Sequence, residues 1–179
     1  MLVGGVPRGA PDGELVTARR HAAAADRGRR RLEWRVADRQ MLTRYPERFG
    51  ALFCTIPLID MRRYAKLLAG ASWVAEYGDP DKPEDWAFIR TFSAYHLARP
   101  GAGYPPVLLA TTRKDDRVHR GHARKMAAKL PAIGYPAYFC EPAAGGHGYD
   151  KDNRERAAFA AFGFSFLREK IGWRSDAAT

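Results

Sequence analysis

Cysteine is scarce in this sequence: Cys54 and Cys140 are the only two, and no CxxC pair occurs. That excludes a dense disulfide framework and a zinc site built on paired cysteines. Both lie in apolar, strand-like runs, so buried free thiols are expected. Long hydrophobic runs are missing too. Pro106-Val107-Leu108-Leu109-Ala110 is typical of the longest, far short of the roughly 20 residues that span a bilayer. The opening MLVGGVPRGAPDGE has no charged n-region and no apolar h-region of useful length. No signal peptide and no membrane partner are expected, and a cytoplasmic location is favoured.

The first 40 residues lack more. They contain no Phe, Tyr, Ile, Asn, Ser or Lys, but nine Arg and five acids. The run Arg27-Gly28-Arg29-Arg30-Arg31 shows neither a helical stripe nor strand alternation. Taken as protein, residues 1–40 read as a poorly ordered basic arm. The whole chain carries a formal net charge of +10, which raises nucleic acid as a partner. No basic patch interleaved with stacking aromatics accompanies the charge, so a solvated basic surface and no nucleic-acid partner are expected.

From Met41 the texture changes to that of a folded core. TRYPERF (43–49) reads as a helix end plus a turn. ALFCTIPL (51–58), PPVLLATT (105–112) and YPAYFCE (135–141) read as strands apolar on both faces. Helices are expected over 60–68, 84–92, 121–130 and 153–170. In the last, Phe159, Phe162, Phe166 and Leu167 fall at i, i+3, i+7 and i+8, a core-facing stripe. Apolar strands alternating with helices indicate an α/β fold, a mostly parallel sheet covered by helices.

In such a sheet, ligands gather at the carboxyl ends of the strands. Two exits there are chemically loaded. RKDDRVH (113–119) puts two carboxylates beside a guanidinium, and GGHG (145–148) presents a histidine between glycines. Imidazole titrates near neutrality and suits general-base work. An acid followed about thirty residues later by a histidine is the chain order of the α/β-hydrolases, in which a serine on a strand-to-helix turn precedes both. A metal site from Asp115, Asp116, His119 and His122 is the weaker alternative, and no metal is expected. A capping acid and a solvated turn histidine are the bland readings.

MLTRYPERFGALFCTIPLIDMRRYAKLLAGASWVAEYGDPD, PPVLLATTRKDDRVHRGHARKMAAKL and GGHG resemble the catalytic domain of the prolyl oligopeptidase family of serine peptidases. The resemblance covers 41–172 and implies the C-terminal part of an α/β-hydrolase fold, the family's propeller domain being absent, with 173–179 a tail. It implies Asp115 as the triad acid and His147 as the base. It also implies Arg117 as the holder of a substrate backbone carbonyl and Trp73 as the aromatic floor of a proline pocket. A peptide is the implied substrate, hydrolysed after proline, with no cofactor.

The family's Gly-Gly-Ser-Asn-Gly-Gly nucleophile elbow, due just before Met41, is missing. Leu32, Glu33 and Trp34 stand there instead. With permitted codons, reading RLEWRVADRQ (31–40) one base later gives Gly-Ser-Asn-Gly-Gly-Leu-Leu-Ile-Gly-Asn, provided one base is restored before Met41. Arg29 and Arg30 likewise become Ala and Gly. The expectation is therefore a frameshift, with residues 1–40 an out-of-frame translation. Ser72, Ser93, Ser165 and Ser175 sit in no G-x-S-x-G setting. Loss of the serine from a triad costs on the order of 10⁶ in kcat, or roughly 8 kcal/mol. The chain itself is thus expected to be inactive; a pseudoenzyme or binding fragment is the alternative function.

Overall fold

The computed structural model describes residues 41–143, 145–148 and 152–172, and the backbone of 4–7 and 16–17. The rest of the 1–40 segment and the 173–179 tail lie outside the described residues. Five strands form one sheet in the order β2-β1-β3-β4-β5: β1 (Gly4–Pro7), β2 (Val16–Thr17), β3 (Phe49–Thr55), β4 (Val107–Ala110) and β5 (Ala137–Cys140). β3, β4 and β5 are parallel, with Phe53, Leu108 and Tyr138 in register. β1 is antiparallel to both β2 and β3.

Helices α1 (Val74–Tyr77), α2 (Pro83–Ile89), α3 (Ala94–Leu97), α4 (Gly121–Ala132) and α5 (Asn153–Ile171) follow the first helical turn at 41–44. α4 and α5 cover opposite faces of the parallel strands. Leu52, Cys54, Val107 and Leu109 pack with Met126 and Leu130 of α4. The alternate residues Ala51, Phe53, Leu108 and Ala110 pack with Phe166 and Leu167 of α5. Covering both faces explains why the strands read as continuous apolar runs rather than alternating ones. Among the three parallel strands β5 departs from this, with Tyr138 and Phe139 about two-fifths exposed (40% and 42%).

The expected strands and long helices are present within a few residues of their predicted bounds, but two expectations need correction. The 60–68 segment is not an α-helix; it is a turn followed by 3₁₀ turns at Tyr64–Lys66 and Leu68–Trp73. Side chains capture its first amides: the Asp60 N–H donates to His122 Nδ1 and the Met61 N–H to Ser93 Oγ. Leu68 then takes a left-handed φ of +49°, which ends any helical run. The stripe on α5 is also shifted. Phe166 and Leu167 are buried and Phe159 packs beside them, but Phe162 is 47% exposed. The line facing the sheet runs instead through Gly163, where an added Cβ would lie 2.1 Å from Phe53 Cε1. The missing side chain, not a large one, marks the closest approach of helix to sheet.

A third apolar cluster lies at the carboxyl end of β3. It contains Ile56, Leu58, Met61, Tyr64, Tyr77, Ile89, Phe92 and Val118, with Trp73, Val74 and Trp86 packed against it. The candidate site borders this cluster.

Candidate active site

The site is built at the exits of the adjacent parallel strands β4 and β5. Beyond β4 the chain stays paired with the β5 exit: the Thr111 N–H donates to Cys140 O and the Arg113 N–H to Pro142 O. It then turns at Asp115, whose Oδ1 accepts the amides of Arg117 (2.8 Å) and Val118 (2.9 Å). An Asp that binds the backbone two and three residues on is a local turn former, which is why this residue type nucleates the loop. Val118 is driven into the third cluster and anchors the loop from below.

The second loop needs glycine. Gly145 is buried with φ +83°, a region that side chains avoid. Gly146 O accepts a 3.0 Å hydrogen bond from Thr112 Oγ1, tying this loop to the first. His147 follows, with Nδ1 at 3.0 and 3.1 Å from the two oxygens of Asp115.

The Asp115 side chain is 1% exposed and that of His147 21% exposed. Burial works to raise the Asp115 pKa, but the His147 ring and the two backbone amides outweigh it and hold the carboxyl below its ordinary value. An ionised Asp115 accepts hydrogen bonds and donates none, so Nδ1 of His147 is assigned the hydrogen and Nε2 is left as the basic nitrogen. An imidazole held in one tautomer by a buried carboxylate is equipped to serve as a general base.

The other sequence-predicted residues fall nearby. Arg117 is exposed two positions from Asp115, and its guanidinium has no hydrogen bond or ion pair with the described residues. Trp73 is half-buried against the cluster that holds Val118, so indole and acid loop share one apolar bed. The metal alternative is not assembled. His119 Nδ1 accepts the Gly121 amide, and the buried His122 accepts the Asp60 amide. Among the described residues no group of three or more His, Cys, Asp or Glu side chains is placed to hold a metal ion.

No described serine is paired with His147. Ser72 Oγ donates to Ala69 O, Ser165 is exposed on α5, and Ser93 is fully buried against Ile59, Met61 and His96. Cys54 is buried inside β3, and Cys140 is half-buried, its thiol pKa raised by burial. Thr112 and Asp60 were not singled out by motif reasoning. Their contacts join segments far apart in sequence, which no local spacing encodes.

Residues 39–174 match the prolyl oligopeptidase family. The chain belongs to that family. Over 132 residues it is 41% identical to an uncharacterized peptidase (y4nA) of Sinorhizobium fredii, covering 74% of this chain and 18% of that protein. It superimposes on a post-proline cleaving enzyme from Rickettsia typhi with a TM-score of 0.74 at 32% identity, over 79% of this chain and 20% of the other. The corresponding figures are 0.70 and 26%, over 78% and 20%, for prolyl oligopeptidase B from Galerina marginata bound to a 35mer hydrolysis and macrocyclization substrate. The chain therefore spans about a fifth of the length of these prolyl oligopeptidase relatives, and it carries the C-terminal part of their α/β-hydrolase domain. Family members are serine peptidases. No helix among the described residues is long and apolar enough to cross a membrane.

Proposed function

We propose that this chain carries the acid and base of a serine peptidase that hydrolyses short peptides after proline, and that the nucleophilic serine is encoded out of frame just before Met41. The observation that carries this reading is the pairing of His147 with a buried Asp115 at the exits of adjacent parallel strands. In the frame-restored enzyme the serine attacks the scissile carbonyl and passes its proton to His147 Nε2. Asp115 keeps the ring oriented and stabilises the imidazolium. The tetrahedral adduct collapses as His147 returns the proton to the leaving amine, and water repeats the sequence on the acyl-enzyme. Arg117 holds a substrate backbone carbonyl. Trp73 lays its indole under the pyrrolidine ring, a flat apolar contact that favours proline. The chain as it stands lacks the serine, and with it the amide that follows the nucleophile in the oxyanion hole; it is catalytically silent, and any role it has is one of binding.

The test uses the frame-restored peptidase and chromogenic dipeptides ending in proline or alanine. Preferential release after proline is the expected result, with Asp115→Asn slower by about 10⁴ in kcat. Equal cleavage after proline and alanine contradicts the proline pocket; full activity of Asp115→Asn contradicts the assigned acid.

A further inference from the structure

Asp60 lies outside the site just described, yet its buried carboxylate gathers basic side chains from three segments of the chain. It follows β3 and is 1% exposed. Its Oδ2 takes the ammonium of Lys125 and, at 3.4 Å, the guanidinium of Arg63. Its Oδ1 makes no hydrogen bond and faces His96 Nε2 at 3.9 Å. The other ring nitrogen of His96 lies 2.7 Å from Ser93 Oγ, which also bridges Ile59 O and Met61 N on either side of Asp60. The Asp60 amide donates to His122 Nδ1 in the first turn of α4.

A buried, charged joint of this kind is an expensive way to hold a fold together. Desolvating a carboxylate this deeply buried is costly, and a well-packed apolar set of similar volume is often as stable or more so. What charge supplies instead is a defined geometry, and the joint has two routes to the acid loop. His122 sits in the helix that begins six residues after Asp115. Leu58 and Met61, on either side of Asp60, pack in one cluster with Val118, whose amide binds Asp115 Oδ1. We infer that Asp60 is a positioning residue: it fixes the exit of β3 against α4 and so holds Asp115 at hydrogen-bonding distance from His147. The inference rests on the reading of Asp115 and His147 as the working pair.

The test is proton exchange at His147 Nδ1, followed by NMR in the full 179-residue chain. In the wild type this proton is expected to be slowed by its bond to Asp115. Asp60→Asn is expected to speed its exchange with water by about tenfold through local opening. Phe166→Leu, which loosens the opposite face of the sheet, serves as the stability control and is expected to leave the exchange within about twofold. Lys125→Met removes the partner on the solvent side of the joint and carries the same expectation if Asp60→Asn does not fold. Exchange in the joint variants equal to that of Phe166→Leu at matched stability overturns the positioning role and leaves the pair intact. Absence of any slowed proton in the wild type overturns the pair itself, and the positioning role with it.

Discussion

Thr112 donates a hydrogen bond to the carbonyl of Gly146, 3.0 Å away, across 34 residues of sequence. One end of that bond is three residues before Asp115 and the other is next to His147, so this hydroxyl ties the two loops together beside the Arg113–Pro142 backbone bond. Thr112→Val keeps the shape and removes the donor. A loss of about 1–2 kcal/mol in urea unfolding is expected. In the frame-restored peptidase, kcat is expected to fall more than KM rises, because substrate contacts are untouched while the acid–base pair loosens.

Acid should act through Asp115. Its carboxyl sits below the ordinary value of 3.8 in the fold, with burial opposing and the His147 ring and backbone amides prevailing. The unfolded chain therefore binds more protons in the window just below 3.8, and stability rises with pH there. The contribution is fully present above the unfolded value and lost as pH falls through the lower folded one. Asp60 behaves alike: burial pushes its carboxyl up, but Lys125, with His96 and His122, outweighs that and holds it below the ordinary value. Thermal unfolding of wild type and Asp115→Asn as a function of pH checks this: the two curves should converge as the pH drops below 4. Parallel curves down to the lowest pH would mean that Asp115 is not stabilised by its partners.

Gly163 has no room for a side chain. An added Cβ would meet the Phe53 ring at 2.1–2.7 Å, so Gly163→Ala must push α5 off β3 or turn the ring. Overpacking of this kind costs typically 1–3 kcal/mol, although alanine is otherwise the better helix residue by about 1 kcal/mol. A net loss in denaturant midpoint is expected. Phe53→Leu in the same background should recover part of it by vacating the space.

The frame itself is testable. Sequencing the gene across the Gln40–Met41 junction, and several hundred bases upstream, should show codons that yield Gly-Ser-Asn-Gly-Gly when read one base later than RLEWR. Codons that cannot yield serine at Leu32 in the shifted frame would remove that explanation for the missing nucleophile.

Much of the architecture was legible in the sequence because strands buried on both faces must be apolar throughout, and β3 and β4 are so buried. The acid and the histidine were legible because their loop chemistry is local: an aspartate that turns its own backbone, and a glycine that frees the next loop to turn. The 60–68 segment misled because its helical spacing is real, but its amides are taken by Ser93 and His122, distant in sequence. Phe162 misled because a stripe drawn through large residues overlooks Gly163, where the packing is tightest. Asp60 was invisible for the same reason as Thr112: its partners come from three segments, and nothing in IPLIDM announces them.

Labelling with a serine-directed fluorophosphonate probe tests directly whether Asp115 and His147 lack only their nucleophile. The 179-residue chain should take no label, since Ser72 and Ser93 are bound to neighbouring backbone and neither is paired with His147. The frame-restored peptidase should label at the recovered serine, and its His147→Ala variant should label far more slowly. Labelling of the 179-residue chain at any of its serines, or a restored serine that labels equally well without His147, would contradict the assignment of Asp115 and His147 as an acid–base pair that lacks only its nucleophile.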